Sequence, residues 1–258
     1  MGYAALAIDV KHGTHMDVLK PEVHQLLSAW IRSGVVWAVW LGTPCTTWSV
    51  AYTTPVVRST DHPWGVPGLP SKHAQAVSIG NQTARFTAHI IKTCCAHNIP
   101  VCLENPASSR LWKCPALACL LPSASDCIRS AYCQFGTPWR KITQVAGWSV
   151  GSLAPMSKQC HGQKGVCSKT GRPHKQLNGR SNGISWTKIA EPYPKPLCAH
   201  LVKQIMKSSD LLALQRRYEV LEKSVPGAHP THHRAPRNCW PAWSLSHGPL
   251  VRRPASQH

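Results

Sequence analysis

The hydrophobic period changes several times along this chain. Residues 4–10 (AALAIDV) form a short apolar run that reaches Asp9, the pattern of a buried strand. A polar turn with Gly13 and Asp17 follows. Pro21 opens a helix at its first turn, where the missing N–H costs nothing. Val23, Leu26, Leu27, Trp30 and Ile31 then recur at helical spacing, and Gly34 suits a helix end. Residues 35–41 (VVWAVWL) are continuously apolar, as in a parallel strand covered on both faces. That run feeds the turn GTPCTTWS, which carries Pro44, Cys45 and Ser49.

Residues 53–73 are rich in Pro and Gly and predict a long loop. A helix is expected over 75–97 and a strand over 99–105 (IPVCLEN), with Glu104 at its end. Short helical pieces follow at SSRLW and PALACLL. The runs SAYCQF and ITQVAGWSV predict two strands around the turn GTPWRK. Residues 157–186 turn basic and poor in apolar side chains. A helix is expected from Pro196 to about Glu222, with Leu197, Leu201, Ile205, Leu211, Leu212 and Leu214 as apolar contacts. Strands alternating with helices predict an α/β fold with a largely parallel sheet. Ligands of such sheets bind beyond the carboxyl ends of the strands, where Asp9, Cys45 and Glu104 are expected.

The pattern divides the chain into a core over 1–156, a basic Cys/His-containing insert over 157–186, a closing helix over 187–224 and a disordered basic tail over 225–258. Charge then narrows the partners. Lys plus Arg number 29 against 10 acids, a formal net charge of +19. Such an excess favours a polyanion such as nucleic acid, because neutralising phosphates releases counterions. No run approaches a membrane span, and no secretory leader is expected. Twelve cysteines in a chain of this length then read as reduced thiols, in nucleus or cytoplasm, with core, catalytic or metal-binding roles. Cys160, His161, Cys167 and His174 make a candidate zinc set, since thiolate and imidazole are the ligands zinc prefers. Lys158, Lys164, Lys169, Arg172, Lys175 and Arg180 are candidates for tracking phosphates, and Trp148 or Trp186 for stacking on a base.

Three segments carry a resemblance. GTPCTTWS after an apolar strand resembles the Pro-Cys loop of the DNA cytosine-5 methyltransferases. CLENP resembles their Glu-Asn motif, and YCQFGTPWRK resembles the later segment that brings a basic side chain to the base. AEPYPKPLCAHLVKQI is loosely similar to their last motif. The resemblance implies a Rossmann-like S-adenosylmethionine-dependent fold, incomplete at the N-terminus because the family's opening strand and Gly-rich loop have no counterpart here. It implies Cys45 as nucleophile on carbon 6 of a flipped cytosine, Glu104 on the ring nitrogen, and Arg140 as the orienting cation. Pro44, Ser49, Asn105 and Pro106 would shape the substrate loops. Asp9 would hold the ribose of S-adenosylmethionine, with Asp17 and Val18 at its adenine. The expected activity is methylation of cytosine carbon 5 in DNA. The alternative is an inactive methyltransferase-like domain, of mobile-element origin, that binds nucleic acid without turnover. The chain departs from the family at Thr46, at Pro106 and in the pair Arg140-Lys141.

Overall fold

The computed structural model describes residues 5–208, with side chains to residue 205. Leu211, Leu212, Leu214 and the expected tail over 225–258 lie outside the described residues.

The chain enters helix α1 (Pro21–Arg32), strand β1 (Val39–Leu41), the long helix α2 (Ser71–Ala96) and strand β2 (Val101–Pro106). A short helix α3 (Pro115–Ala118) precedes strands β3 (Asp126–Ala131) and β4 (Ile142–Trp148). Beyond them lie a two-stranded ribbon, β5 (Arg180–Ser181) with β6 (Ile184–Ser185), and helices α4 (Trp186–Ile189) and α5 (Lys195–Ser208). The main sheet has the order β1-β2-β4-β3. Its β1–β2 pair is parallel, with Leu41 opposite Leu103, and α2 forms the crossover.

The protein is therefore α/β, but its sheet is mixed rather than largely parallel. β4 runs antiparallel to both β2 and β3. The misleading sign was two-sided burial. Along β2, Val101 and Leu103 enter a core shared with Ile90, Ile91 and Trp148, while Cys102 enters a second core with Val145, Leu153 and Leu197. Covering both faces erases the polar alternation that usually marks antiparallel strands. β4 needs close approach on one of those faces: a Cβ on Gly147 would lie 2.4 Å from Val150 Cγ2.

Of the strand expected over 4–10, none forms among the described residues 5–10. Residues 5–9 have no regular structure, and 3₁₀ turns follow at Val10–His12 and Thr14–Met16. Asp9 accepts the Lys11 N–H at 2.9 Å, a local bond that competes with pairing. The run 35–41 yields only Val39–Leu41, leaving Val35 and Trp37 64% and 42% exposed. The SAYCQF strand is displaced toward the N-terminus: Ser130 and Ala131 end β3, and Tyr132–Phe135 is a 3₁₀ turn closed by left-handed Gly136.

The loop over 53–73 is anchored, not free. Arg58 is completely buried and its guanidinium lies 3.5 Å from the centre of the Trp48 ring. Trp48 Nε1 donates to the Gly80 carbonyl on α2 at 3.3 Å. A Cβ at Gly80 would meet Thr47 Oγ1 at 2.5 Å, so glycine is what lets the loop sit on the helix. The turn bearing Cys45 is thus docked onto α2 from behind.

Candidate functional site

The parallel pair sends the ends of β1 and β2 in one direction. Residues 42–45 leave β1 there, and Glu104 and Asn105 lie near the same end of β2. Two side chains fix the exit of β1. Thr43 Oγ1 bonds Thr87 Oγ1 of α2 at 2.7 Å, and Asn105 Nδ2 donates to the Thr43 carbonyl at 2.7 Å. The Asn105 bond staples the loop to the strand end that carries Glu104.

Glu104 is 5% exposed. The Thr143 hydroxyl from β4 donates to Glu104 Oε1, and Tyr193 Oη donates to Glu104 Oε2 at 2.8 Å. Thr143 also faces the Asn105 carbonyl at 3.1 Å. Tyr193 packs over the start of the loop: it lies edge-on to Trp40, and a Cβ at Gly42 would lie 2.8 Å from its hydroxyl. Burial first, then the Glu104 charge, pushes the Tyr193 hydroxyl's pKa up. Two buried polar atoms in this neighbourhood, Asn105 Oδ1 and Tyr132 Oη, have no hydrogen-bond partner.

Cys45 is half-buried and free, beside an exposed Pro44. Burial raises its thiol pKa, the Lys141 ammonium pulls it back, and Glu104 adds to the rise. Cys45, Glu104 and Lys141 therefore share one electrostatic neighbourhood. Alkylation of Cys45, followed by peptide mass mapping, is expected to be slower at about pH 7.5 than that of an ordinary thiol of pKa about 8.5. Its rate should still climb where such a thiol has levelled off, and Lys141→Met should shift the curve further up in pH. A plateau at or below the ordinary thiol pKa would contradict the burial.

The cation beside Cys45 is Lys141, not Arg140. Arg140 Nη2 donates to the Cys160 carbonyl at 2.9 Å and so faces the basic segment. Lys141, whose carbonyl accepts the Tyr132 N–H at 2.9 Å, reaches other partners. Its ammonium donates to the Ala190 carbonyl at 3.3 Å and lies 4.9 Å from the centre of the Tyr132 ring. Ser49 lies farther along the loop: its carbonyl accepts from Arg110 at 3.1 Å and its hydroxyl from Ala51 N–H at 3.1 Å. Pro106 ends β2 and accepts from Trp112 Nε1 at 2.9 Å. Asp9 binds only its neighbourhood, pairing with Lys11 at 3.2 Å with its side chain 41% exposed. Asp17 accepts from Leu19 N–H at 3.0 Å, and Val18 sits half-buried in that turn.

A second cluster gathers Cys133, Cys160, Cys167 and His174, whose ligand atoms all lie within 4.8 Å of one another. These four can hold a metal. His161 is exposed and outside the group; Cys133, from the turn after β3, takes the fourth place. Proximity in sequence favoured His161, whereas the fold brings Cys133 in from well upstream. At Cys160 burial opposes ionisation, but N–H groups of Ser168 and Gly162 and the Ser168 hydroxyl outweigh it and bring the thiol down to about 5. At Cys167, N–H groups of Lys169 and Thr170 likewise outweigh burial and lower the pKa. Lys158, Lys164, Lys169, Arg172, Lys175 and Arg180 are all exposed. Trp148 is a core residue bonded to the Leu120 carbonyl, while Trp186 carries Lys175 Nζ 4.4 Å from its ring centre.

Tyr193, Thr143 and Cys133 were not expected as site residues. Tyr193 had a signal in EPYPKP, within the faint last motif, and Cys133 had one in YCQF. Thr143 had none beyond its place in a strand. No helix among the described residues is long and apolar enough to cross a membrane. The chain matches no protein-family model, no curated protein and no solved structure.

Proposed function

We propose that this protein methylates carbon 5 of cytosine in DNA, using S-adenosylmethionine and a transient covalent adduct on Cys45. The observation that carries the reading is the Asn105–Thr43 bond, which holds the Pro44-Cys45 loop against the buried Glu104. Thiol, carboxyl and ammonium share one electrostatic neighbourhood, which addition to an electron-poor ring can use.

In this reading the cytosine leaves the stack and enters the pocket. Cys45 gives its thiol proton to solvent and adds through Sγ to carbon 6. The displaced ring electrons move toward N3, where Glu104, having taken up a proton from solvent as the base enters, delivers the proton that receives them, and carbon 5 becomes electron-rich. Lys141 favours the thiolate. S-adenosylmethionine, when bound, supplies an electrophilic methyl group. Once carbon 5 carried the methyl group, its proton would pass to water. The electrons of that carbon–hydrogen bond would re-form the double bond between carbons 5 and 6 and expel the Cys45 thiolate, and N3 would return its proton to Glu104. Tyr193 and Thr143 hold the carboxyl in place through both steps. Asp9 fits the ribose role, because its exposed ion pair with Lys11 is the weak kind that a diol can displace. Asp17 and Val18 sit in the adjoining turn. The exposed lysines and arginines of 157–186 track the phosphates. Zinc at the sulfur-rich cluster belongs to the same proposal as a structural ion outside the chemistry.

A second reading, a domain that binds nucleic acid without turnover, is favoured by the lack of a strand among the described residues 5–9 and by the raised Cys45 pKa. One experiment separates the two. DNA carrying 5-fluorocytosine, incubated with the protein and S-adenosylmethionine, is expected to give a complex that survives denaturing electrophoresis and is absent for Cys45→Ser. Binding of the same DNA without any such complex would establish the second reading.

A further inference from the structure

The segment 157–175 (SKQCHGQKGVCSKTGRPHK) is well connected but has almost nothing apolar to pack. Its buried side chains are Cys160 and Cys167, which touch Ala131 and Cys133. So small an apolar group cannot offset the entropy of ordering that loop, and short segments in this position need a staple. The geometry supplies one. Cys160 Sγ and His174 Nε2 are 3.6 Å apart. Two ligands at tetrahedral angles on zinc, with bonds of about 2.3 Å to sulfur and about 2.05 Å to nitrogen, are separated by about 3.6 Å.

The loop is folded to present these atoms. Val166 bridges Pro173 across a tight turn, Cys167 N–H donates to the Arg172 carbonyl at 2.8 Å, and His174 N–H to the Gly165 carbonyl at 2.7 Å. A Cβ at Gly162 would lie 1.8 Å from the Val166 carbonyl oxygen, so the two arms of the loop touch there. Charge agrees as well. Three thiolates and a neutral imidazole on a divalent ion carry one net negative charge, and Lys164, Lys169, Arg172 and Lys175 surround it in sequence. A disulfide between two of the thiols would leave the third thiol and the imidazole without a role.

We infer that Cys133, Cys160, Cys167 and His174 bind one zinc ion in a closed four-coordinate site, and that this ion braces the turn 131–141 against the basic segment. The zinc is shared with the proposed function, but the ligand set and the bracing role do not depend on methyl transfer. The turn carries Tyr132 and Lys141 into the electrostatic neighbourhood of Glu104 and Cys45. It is tied to the segment by Ala131 N–H to the Lys158 carbonyl at 2.8 Å, Lys175 N–H to the Pro138 carbonyl at 2.8 Å, and Lys169 Nζ to the Gln134 carbonyl at 2.7 Å. With four protein ligands there is no open position, so the ion is structural.

The test uses the full chain, purified with reductant, and measures zinc by elemental analysis. One zinc per chain is expected. Cys133→Ser and His174→Ala should bring the ratio toward zero, while His161→Ala leaves it at one. Cobalt replacement of the wild-type ion should give intense sulfur-to-cobalt charge transfer and tetrahedral ligand-field bands, a readout that needs no variant. A ratio near zero in the wild type, or a full ratio in Cys133→Ser, would overturn the site. After removal of the ion with a strong chelator, amide exchange at Ala131 and Lys175 should rise about tenfold or more while β2 and β4 keep their protection. Unchanged exchange there would overturn the brace. Failure of the 5-fluorocytosine complex would leave both results standing, so the two readings fail separately.

Discussion

Replacing Arg58 by Met is expected to destabilise the fold by about 3–5 kcal/mol, chiefly through the acceptors it leaves behind. Arg58 Nε donates to the Thr47 carbonyl at 3.1 Å. Nη1 donates to the Pro63 carbonyl and Asn81 Oδ1, both at 2.7 Å. Nη2 donates to Thr47 Oγ1 at 3.0 Å and the Val77 carbonyl at 3.2 Å. No ion pair among the described residues involves it. Its charge is met by carbonyl dipoles and by the face of Trp48. Burial moves its pKa down to about 10, which still leaves it charged near neutrality. Met keeps the stem's volume but none of the five donors. Three carbonyls in separate stretches then lose a buried partner, at about 1–3 kcal/mol for each that water cannot reach. Arg58→Lys should recover only part of the loss, since an ammonium cannot span the fork of a guanidinium. Urea unfolding of the three proteins decides the matter. A loss below about 1 kcal/mol for Arg58→Met would mean that the loop relaxes and rehydrates.

The second large effect is on chemistry. Glu104→Gln is expected to lower the rate of adduct formation on 5-fluorocytosine DNA by about 10²–10⁴-fold, the range of a lost general acid. Gln keeps the shape and an acceptor for either hydroxyl, so unfolding should move by only about 1 kcal/mol. A purely structural Glu104 would give the opposite pattern, with stability altered and adduct rate retained. A separate readout does not depend on turnover. The Glu104 charge holds the Cys45 pKa up, so its removal should move the pH profile of Cys45 alkylation down. A profile that stays in place would show that the two side chains do not sense each other.

Much of the candidate site's placement was legible because strand ends are legible. An apolar run followed by Pro-Cys, and another followed by Glu-Asn, located Cys45 and Glu104 without any geometry. What the sequence hid follows from physical causes. Two-sided burial concealed the antiparallel β4, and with it the Thr143 hydroxyl on Glu104. The choice between Arg140 and Lys141 depends on which partners each reaches in the fold, and two adjacent cations cannot reveal it. Asp9 looked like a strand end because its run is apolar, but the bond to Lys11 N–H shows that a local turn won. The metal candidates failed in one member, His161, because ligands close in sequence need not be close in space.

The crossover geometry has a kinetic consequence. Leu41 and Leu103 pair in parallel although some sixty residues separate them, a contact of the slow, long-range kind. The Thr43–Asn105 bond lies just beyond that pairing. A nascent chain that has emerged only as far as α2 can dock the Cys45 turn onto that helix through Thr87 and Gly80, but has neither Glu104 nor Lys141 beside it. Cys45 therefore meets Glu104 only after the chain has gone out along α2 and come back, so the candidate site depends on a long-range pairing rather than a local one.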